Sequence, residues 1–207
     1  DGFISHVTFW QRDAFEEMVS TYAIAFRNKY LTDEMQPPLL AEAVAAVATR
    51  GRGEVFLREI LPGVKRFYDW LDAVRSPYGD GLIRVVQPDE TGLDHSPKWD
   101  DLMEIKDEEN ASWFKGWNLI CDKYIPFNRD PKKMFEVDYF AVADVMVNVI
   151  YIENLRVLSK LFLQIGDNES AEILDSRGSK AKASLEQLCW DETDGLYYDI
   201  NGKANKK

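Results

Sequence analysis

One stretch of the chain decides its fold class. Residues 137–165 read VDYFAVADVMVNVIYIENLRVLSKLFLQI and are apolar on nearly every side, with few charges before Glu153. An all-round apolar run of this length predicts a buried helix. Gly166 then suits a helix end, and residues 168–189 place apolar side chains at helical spacing among charges, which predicts an amphipathic outer helix. A buried helix, a tight turn and an amphipathic helix form one repeat of a two-layer helical fold.

The same pair of helices is predicted earlier in the chain. A proline pair precedes an apolar run over residues 39–48, and an amphipathic segment follows over residues 55–75. Pro62 lies inside that segment and is expected to kink the helix or to restart it. Another helix is predicted over residues 11–29. Because the sequence has no alternating apolar pattern of useful strand length, we predict an all-α fold.

Composition narrows the classes of partner. The chain has 207 residues, 45% of them apolar, and a net charge of −11 with a pI near 4.7. Such a surface disfavours nucleic acids and anionic membranes and leaves neutral or cationic small molecules as partners. Cys121 and Cys189 suit neither a disulfide framework nor a zinc site; a single bridge stays open, but two buried thiols are favoured, and we expect no metal or cofactor. The sequence leaves the compartment open, with the cytoplasm favoured.

A polar loop between two predicted helical regions contains the residues suited to catalysis. Residues 87–101 read QPDETGLDHSPKWDD. A carboxyl such as Asp94 held beside an indole such as Trp99 is expected to stay protonated near neutrality, and a protonated carboxyl is what a departing glycosidic oxygen needs. Gly92 permits a left-handed backbone and Pro97 stiffens the exit. Acidic loops are more often solvated connections, so the loop alone leaves a purely structural role open.

The loop resembles a known catalytic segment. Residues 90–100, ETGLDHSPKWD, closely resemble the catalytic-acid segment of glycoside hydrolase family 63 and its mannosylglycerate-hydrolase-like relatives. Three further stretches resemble that family in the same order: DGFISH at residues 1–6, QPP at residues 36–38, and the element from WD to YD across residues 190–199. The resemblance therefore spans nearly the whole chain.

The resemblance implies a fold, a reaction and a set of site residues. It implies an (α/α)6 barrel that hydrolyses α-glucosides or α-mannosides with inversion, acting on a small α-glycoside or an oligosaccharide. Asp94 matches the general acid. The implied substrate-binding residues are Gln36, Glu90, Gly92, His95 and Trp99. His95 replaces the usual Asn, Lys98 often reads Arg, and Glu42 stands where a neutral residue is common, so substrate preference is expected to differ.

The second carboxylate of an inverting enzyme has no match in the sequence. The two carboxyl groups of such enzymes lie about 6.5–9.5 Å apart. In the resembled family the general base is a Glu near the far end of the barrel. The sequence predicts about five or six helices, about half of an (α/α)6 ring. We therefore expect residues 1–207 to be one truncated domain that partners with the remainder of the barrel and is inactive alone, unless Glu34, Glu42 or another residue of the chain faces Asp94.

Other functions remain open at this stage. A non-catalytic α-helical module that binds a protein or a glycan is the main alternative, although its repeats would recur at a fixed period. A carbohydrate lyase or epimerase on the same scaffold would usually need a catalytic Tyr or His pair, and the chain has only His6 and His95. Calcium is disfavoured because the EF-hand spacing is missing from the acidic loop.

Overall fold

The prediction of an all-α protein is confirmed. The structure, a computed structural model, describes residues 2–22, 26–28, 31–32, 34–51, 53–106, 110–127 and 130–203. Its helices are α1 (Arg12–Tyr22), α2 (Leu40–Ala48), α3 (Glu54–Arg75), α4 (Asn110–Tyr124), α5 (Pro131–Val137), α6 (Val145–Gln164) and α7 (Asn168–Cys189). The short strands are β1 (Phe26–Asn28), β2 (Leu31–Thr32), β3 (Val142–Ala143), β4 (Trp190–Asp191), β5 (Leu196–Tyr197) and β6 (Ile200–Asn201). They form three antiparallel pairs, β1 with β2, β3 with β6, and β4 with β5.

The helix predicted over residues 137–165 begins later than expected. Residues 142 and 143 pair with β6 instead, and α6 starts at Val145. The reason is a cap: the Asp144 side chain accepts a hydrogen bond from the Val147 N–H at 2.7 Å, which satisfies a free donor of the first turn. The helix is also not buried on every side, since Val149 is 50% exposed.

Helices α6 and α7 form the predicted antiparallel hairpin. The turn between them contains Gly166 with a φ of +81°, and Asp167 caps α7 by accepting from the Ser170 N–H at 3.0 Å. The Ser159 hydroxyl of α6 donates to the Ala171 carbonyl of α7 at 2.9 Å. Further along, Gly178 of α7 lies close to Leu155 of α6. The small residue at position 178 lets the two backbones approach.

The earlier helix pair packs on this hairpin through buried polar contacts. Asn154 of α6 accepts from the Glu42 N–H of α2 and from the Tyr68 hydroxyl of α3, each at 3.1 Å. Arg177 of α7 contacts Asp69 of α3 at 3.0 Å. Helices α2, α3, α6 and α7 therefore share one core, in which both predicted pairs are present.

Two other helix predictions hold only in part. Of the helix predicted over residues 11–29, α1 covers Arg12–Tyr22 and residues 26–28 form β1 instead, while residues 23–25 and 29 lie outside the described residues. Helix α3 runs from Glu54 to Arg75 through Pro62, so the restart, one of the two expected outcomes there, does not occur. Its many apolar contacts with the core compensate for the hydrogen bond that a proline cannot donate.

A buried extended segment leads from α3 to the predicted catalytic loop. Leu82, Ile83, Val85 and Val86 are all fully buried. Asn148 of α6 holds this segment with its side-chain amide, which accepts from the Ile83 N–H at 2.9 Å and donates to the Ile83 carbonyl at 3.0 Å. The start of the loop is therefore fixed to the core.

Both cysteines of the chain lie in the interior. Cys121 and Cys189 are buried, as predicted. Among the helices that the structure describes, none is both long enough and apolar enough to cross a membrane.

Candidate active site

The loop of residues 87–101 contains two tight turns, and Gly92 ends the first of them. Residues 88–91 form a single 3-10 turn, and residues 97–99 form another. Gly92 follows the first turn with a φ of +73°, which confirms the predicted left-handed backbone. The Thr91 hydroxyl donates to the Pro88 carbonyl at 2.7 Å and accepts from the Leu93 N–H at 3.0 Å. Asp94 therefore follows a turn with a fixed shape.

Glu90 lies beneath the surface rather than on it. Its side chain is fully buried and pairs with Arg75 of α3, with the closest N–O distance at 2.6 Å. The two carboxylate oxygens also accept from the Met35 N–H at 3.0 Å and the Val86 N–H at 2.8 Å. The expectation that Glu90 lines a sugar subsite is therefore not met in this structure, because every contact of its carboxylate is with the protein interior.

Trp99 is also buried, in contrast to its expected place at the sugar. Only 1% of it is exposed. Its indole N–H donates to the Leu93 carbonyl at 2.8 Å, and its ring lies 5.4 Å from that of Phe140. This hydrogen bond ties Trp99 back to Leu93, the residue directly before Asp94, and so closes the loop on itself.

Two tryptophans of helix α4 donate hydrogen bonds to the loop. The Trp113 indole N–H donates to the Asp94 carbonyl at 3.0 Å. The exposed His95 stacks on Trp113, with ring centroids 4.4 Å apart and planes 11° from parallel. Trp117, one helical turn further on, donates to the Asp89 carboxylate at 2.9 Å. Asp94 itself is half-buried, so its carboxyl group is supported but reachable.

Lys98 ties the exit of the loop to the start of α6. Its ammonium group pairs with Asp144, the cap of α6, and with Asp199 at 2.9 Å. Asp199 in turn accepts from the Val145 N–H at 2.7 Å. Burial disfavours the charge, but the two carboxylates raise the pKa of Lys98. Both ends of the loop of residues 87–101 are thus anchored to helices.

Asp89, in the turn that precedes Asp94, has a raised pKa. Besides Trp117, the Gln87 side-chain amide donates to it at 3.2 Å. Burial, followed by repulsion from Glu34 and Asp94, raises the pKa of Asp89 to about 6. A carboxyl group that exchanges its proton near neutral pH is a common feature of enzyme active sites.

Two further residues near Asp89, the carboxylate Glu34 and the imidazole His6, contact each other. Glu34 is 3% exposed, and its Oε2 lies 3.5 Å from His6 Nδ1. The two residues are also joined by a backbone hydrogen bond from the His6 N–H to the Glu34 carbonyl at 2.9 Å. The facing carboxylate of Glu34 raises the pKa of His6, against the effect of burial.

The structure thus brings most of the predicted residues together in one loop. Gly92, Asp94 and His95 are at its surface, and Gln36 is exposed next to Met35, the residue bonded to Glu90. Among the residues that the structure describes, no group of three or more potential ligands is arranged to hold a metal ion.

Three residues of this site were not predicted from the sequence: Asp89, Trp113 and Trp117. Asp89 was inside the quoted loop but had no distinguishing pattern. Trp113 and Trp117 are four residues apart, a spacing that places both on one helix face and was readable from the sequence. What the sequence lacked was any sign that this face meets the loop.

Comparison with known proteins identifies the family. The family model described as "Mannosylglycerate hydrolase MGH1-like glycoside hydrolase domain" matches residues 1–207. Among curated proteins, a mannosylglycerate hydrolase of Thermus thermophilus is 26% identical over 96% of this chain and 53% of its own length. A periplasmic trehalase of Escherichia coli is 20% identical over 94% of this chain and 39% of its own length.

Solved structures give the same fold. The family 63 mannosylglycerate hydrolase of Thermus thermophilus in complex with glucose superposes with a TM-score of 0.77 at 27% identity, covering all of this chain and 52% of that one. Its complex with Tris superposes with a TM-score of 0.78 at 22% identity. The chain spans about half the length of these relatives, and its helices are part of the same α/α toroid. It belongs to the mannosylglycerate hydrolase MGH1-like family of glycoside hydrolase domains.

Proposed function

We propose that this chain supplies the general-acid side of an inverting α-glycosidase, with Asp94 as the acid. The observation that carries the proposal is the anchoring of the Asp94 loop. The Asp94 carbonyl is bonded to Trp113 at 3.0 Å, and Lys98 attaches the loop exit to α6. A carboxyl group that remains accessible on a loop held this firmly suits proton transfer to a bound substrate.

The proposed reaction follows from the position of the acid. The Asp94 carboxyl donates its proton to the glycosidic oxygen as the bond from that oxygen to the anomeric carbon breaks. A water molecule, deprotonated by a second carboxylate, attacks the anomeric carbon from the opposite face and inverts its configuration. Glu90 and Trp99 would act from beneath the loop by holding its shape, while Gln36, Gly92 and His95 would meet the sugar.

The second carboxylate is proposed to come from outside residues 1–207. Glu34 is an acid of the group around Asp89 and His6, on the same side of the site as Asp94, whereas the base of an inverting enzyme acts on the opposite face of the sugar. Glu42 lies on the first turn of α2, where its N–H is bonded to Asn154. The 207-residue chain alone is then expected to be inactive, and robust turnover by the purified chain that Asp94→Asn abolishes would overturn this part.

The role of Asp94 can be tested by its dependence on the leaving group. In the protein at its natural length, Asp94→Asn should reduce hydrolysis of ordinary α-glycosides by at least ~10²–10⁴-fold. An α-glycosyl fluoride needs far less help from an acid, so its hydrolysis should fall much less. Asp101→Asn, which removes an exposed carboxylate from the same loop, is the matched control. Equal losses on both substrates, or no loss on either, would remove Asp94 from the role.

A further inference from the structure

The catalytic loop adjoins carboxylates that the proposed reaction does not use. We propose that Glu34 and Asp89 form a binding pocket beside Asp94 that accepts hydrogen bonds from hydroxyl or ammonium groups and disfavours a carboxylate on the leaving group. This inference rests on the proposed function, because it concerns the substrate of the same site. Its consequence is a preference for glycosides whose leaving group is neutral or cationic.

Two independent sets of contacts bring these groups to one place. Glu90 accepts from the Met35 N–H at 3.0 Å, which holds the neighbouring Glu34 against the turn that carries Asp89. On the other side, Trp117 and Trp113 bond the Asp89 carboxylate and the Asp94 backbone from adjacent turns of α4. The effects of Glu34 and Asp94 on the ionisation of Asp89 agree with this proximity.

Glu34 carries an acceptor that the described residues leave unused. The side chain is 3% exposed, and its Oε1 is buried with no hydrogen-bond partner among the residues that the structure describes. Its other oxygen faces His6 at 3.5 Å. A buried carboxylate oxygen without a donor is unfavourable. A sugar hydroxyl or an ammonium group of a bound ligand would supply the missing donor.

The balance of charge decides which ligands are disfavoured. Glu34 lies 3.5 Å from His6, and Glu34, Asp89 and Asp94 all raise the pKa of that imidazole. Two other cations lie in or against the loop, and both are committed elsewhere: Arg75 to Glu90, and Lys98 to Asp144 and Asp199. A ligand carboxylate would add a further negative charge close to those of this cluster, and such a contact between like charges strongly disfavours binding.

The leaving group must come close to this pocket, because Asp94 protonates the oxygen by which it departs. In 2-O-mannosylglycerate the carboxylate is attached to the carbon that bears this oxygen, so it cannot be held far from Asp94. The corresponding glycoside of glycerol has a neutral hydroxymethyl group there. We therefore expect this protein to differ from the mannosylglycerate hydrolases that it resembles by favouring the neutral compound.

Binding to a variant that cannot turn over tests the inference. The probes are 2-O-α-mannosyl-glycerate, 2-O-α-mannosyl-glycerol and the two matching α-glucosides. Titration calorimetry at about pH 8, where Asp89 is ionised, is carried out on Asp94→Asn in the protein at its natural length. The neutral glycoside should bind at least about tenfold more tightly than its anionic counterpart. Adding Glu34→Gln or Asp89→Asn should shrink that ratio, and adding Asp101→Asn should not.

Each other outcome overturns the inference. Equal or tighter binding of the glycerate compound contradicts the charge argument, and a ratio that neither Glu34→Gln nor Asp89→Asn changes excludes these residues as its source. If no probe binds, the proposed pocket is absent. None of these results bears on the proposed hydrolase activity. That activity is tested separately, by the effect of Asp94→Asn on the hydrolysis of ordinary α-glycosides and of α-glycosyl fluorides.

Discussion

Replacing Asp89 by Asn should stabilise the protein, and more so as the pH rises. The pKa of Asp89 is raised from 3.8 to about 6 in the folded state. The native protein therefore holds this proton more tightly than the unfolded chain does. The stability that goes with the raised pKa is fully present below pH 3.8 and is lost as the pH rises through about 6. Asn cannot ionise, so the variant escapes this loss.

The expected size follows from the shift. A rise of about two pKa units corresponds to ~3 kcal/mol at a pH well above both values, at ~1.36 kcal/mol per unit. Because about half of that penalty is already present near pH 5, the free-energy difference between Asp89→Asn and the wild type should grow by ~1.4 kcal/mol between about pH 5 and pH 8. The Asn side chain can still accept from Trp117, so the main hydrogen bond is kept.

Urea unfolding at a series of pH values measures this difference. A constant offset between the two proteins is unimportant, because burying the new amide changes the stability equally at every pH. The growth of the difference with pH is the informative quantity. Asp101→Asn, in the exposed part of the same loop, should show little growth. A difference for Asp89→Asn that stays flat, or that favours the wild type increasingly at high pH, would refute the reasoning.

Three further predictions concern the support of the loop. Glu90→Gln should destabilise the protein by ~3–5 kcal/mol because it leaves the buried charge of Arg75 uncompensated, and replacing Arg75 by Met in the same protein should recover part of that loss. Equilibrium unfolding measures both changes, and an unchanged free energy of unfolding for Glu90→Gln would contradict this account. Gly116→Ala should destabilise by at least ~1–3 kcal/mol and lower activity, since a Cβ there would lie 2.5 Å from the Met103 carbonyl oxygen; an unchanged melting temperature would show that the contact can relax. Lys98→Ala should lower kcat more than it raises KM, and Lys98→Arg should restore most of the kcat; equal activity of the Ala and Arg variants would show that the cation does not position the loop.

The parts of the fold that follow from local patterns were predictable. Helix α7 was predictable because apolar residues recur there at helical spacing among charges. The start of α6 was not, because residues 137–144 are as apolar as the helix itself. Only the pairing of Val142 with Asn201, some sixty residues away, assigns them to a strand. Apolar periodicity does not distinguish a buried strand from the end of a buried helix.

The candidate site also combines features that follow from local sequence with features that depend on distant contacts. Gly92 and Asp94 were predicted from their local motif, and the left-handed backbone of Gly92 is confirmed. The burial of Glu90 was not foreseeable, because it depends on Arg75 being placed opposite by a different helix. The shift at Asp89 likewise depends on Glu34, a residue that only the folded chain brings near.

The attachment of Lys98 to Asp144 and Asp199 has a consequence for the order in which the protein folds. The three residues are separated by 46 and 55 positions, so closing this contact requires large loops to be ordered first. Helices such as α7 depend on local contacts and are expected to form early, whereas the catalytic loop would acquire its final position late. A nascent chain that has not yet reached Asp199 would have its helices in place while the acid remained unaligned. The proposed acid, Asp94, would thus reach its final position only when the fold is nearly complete.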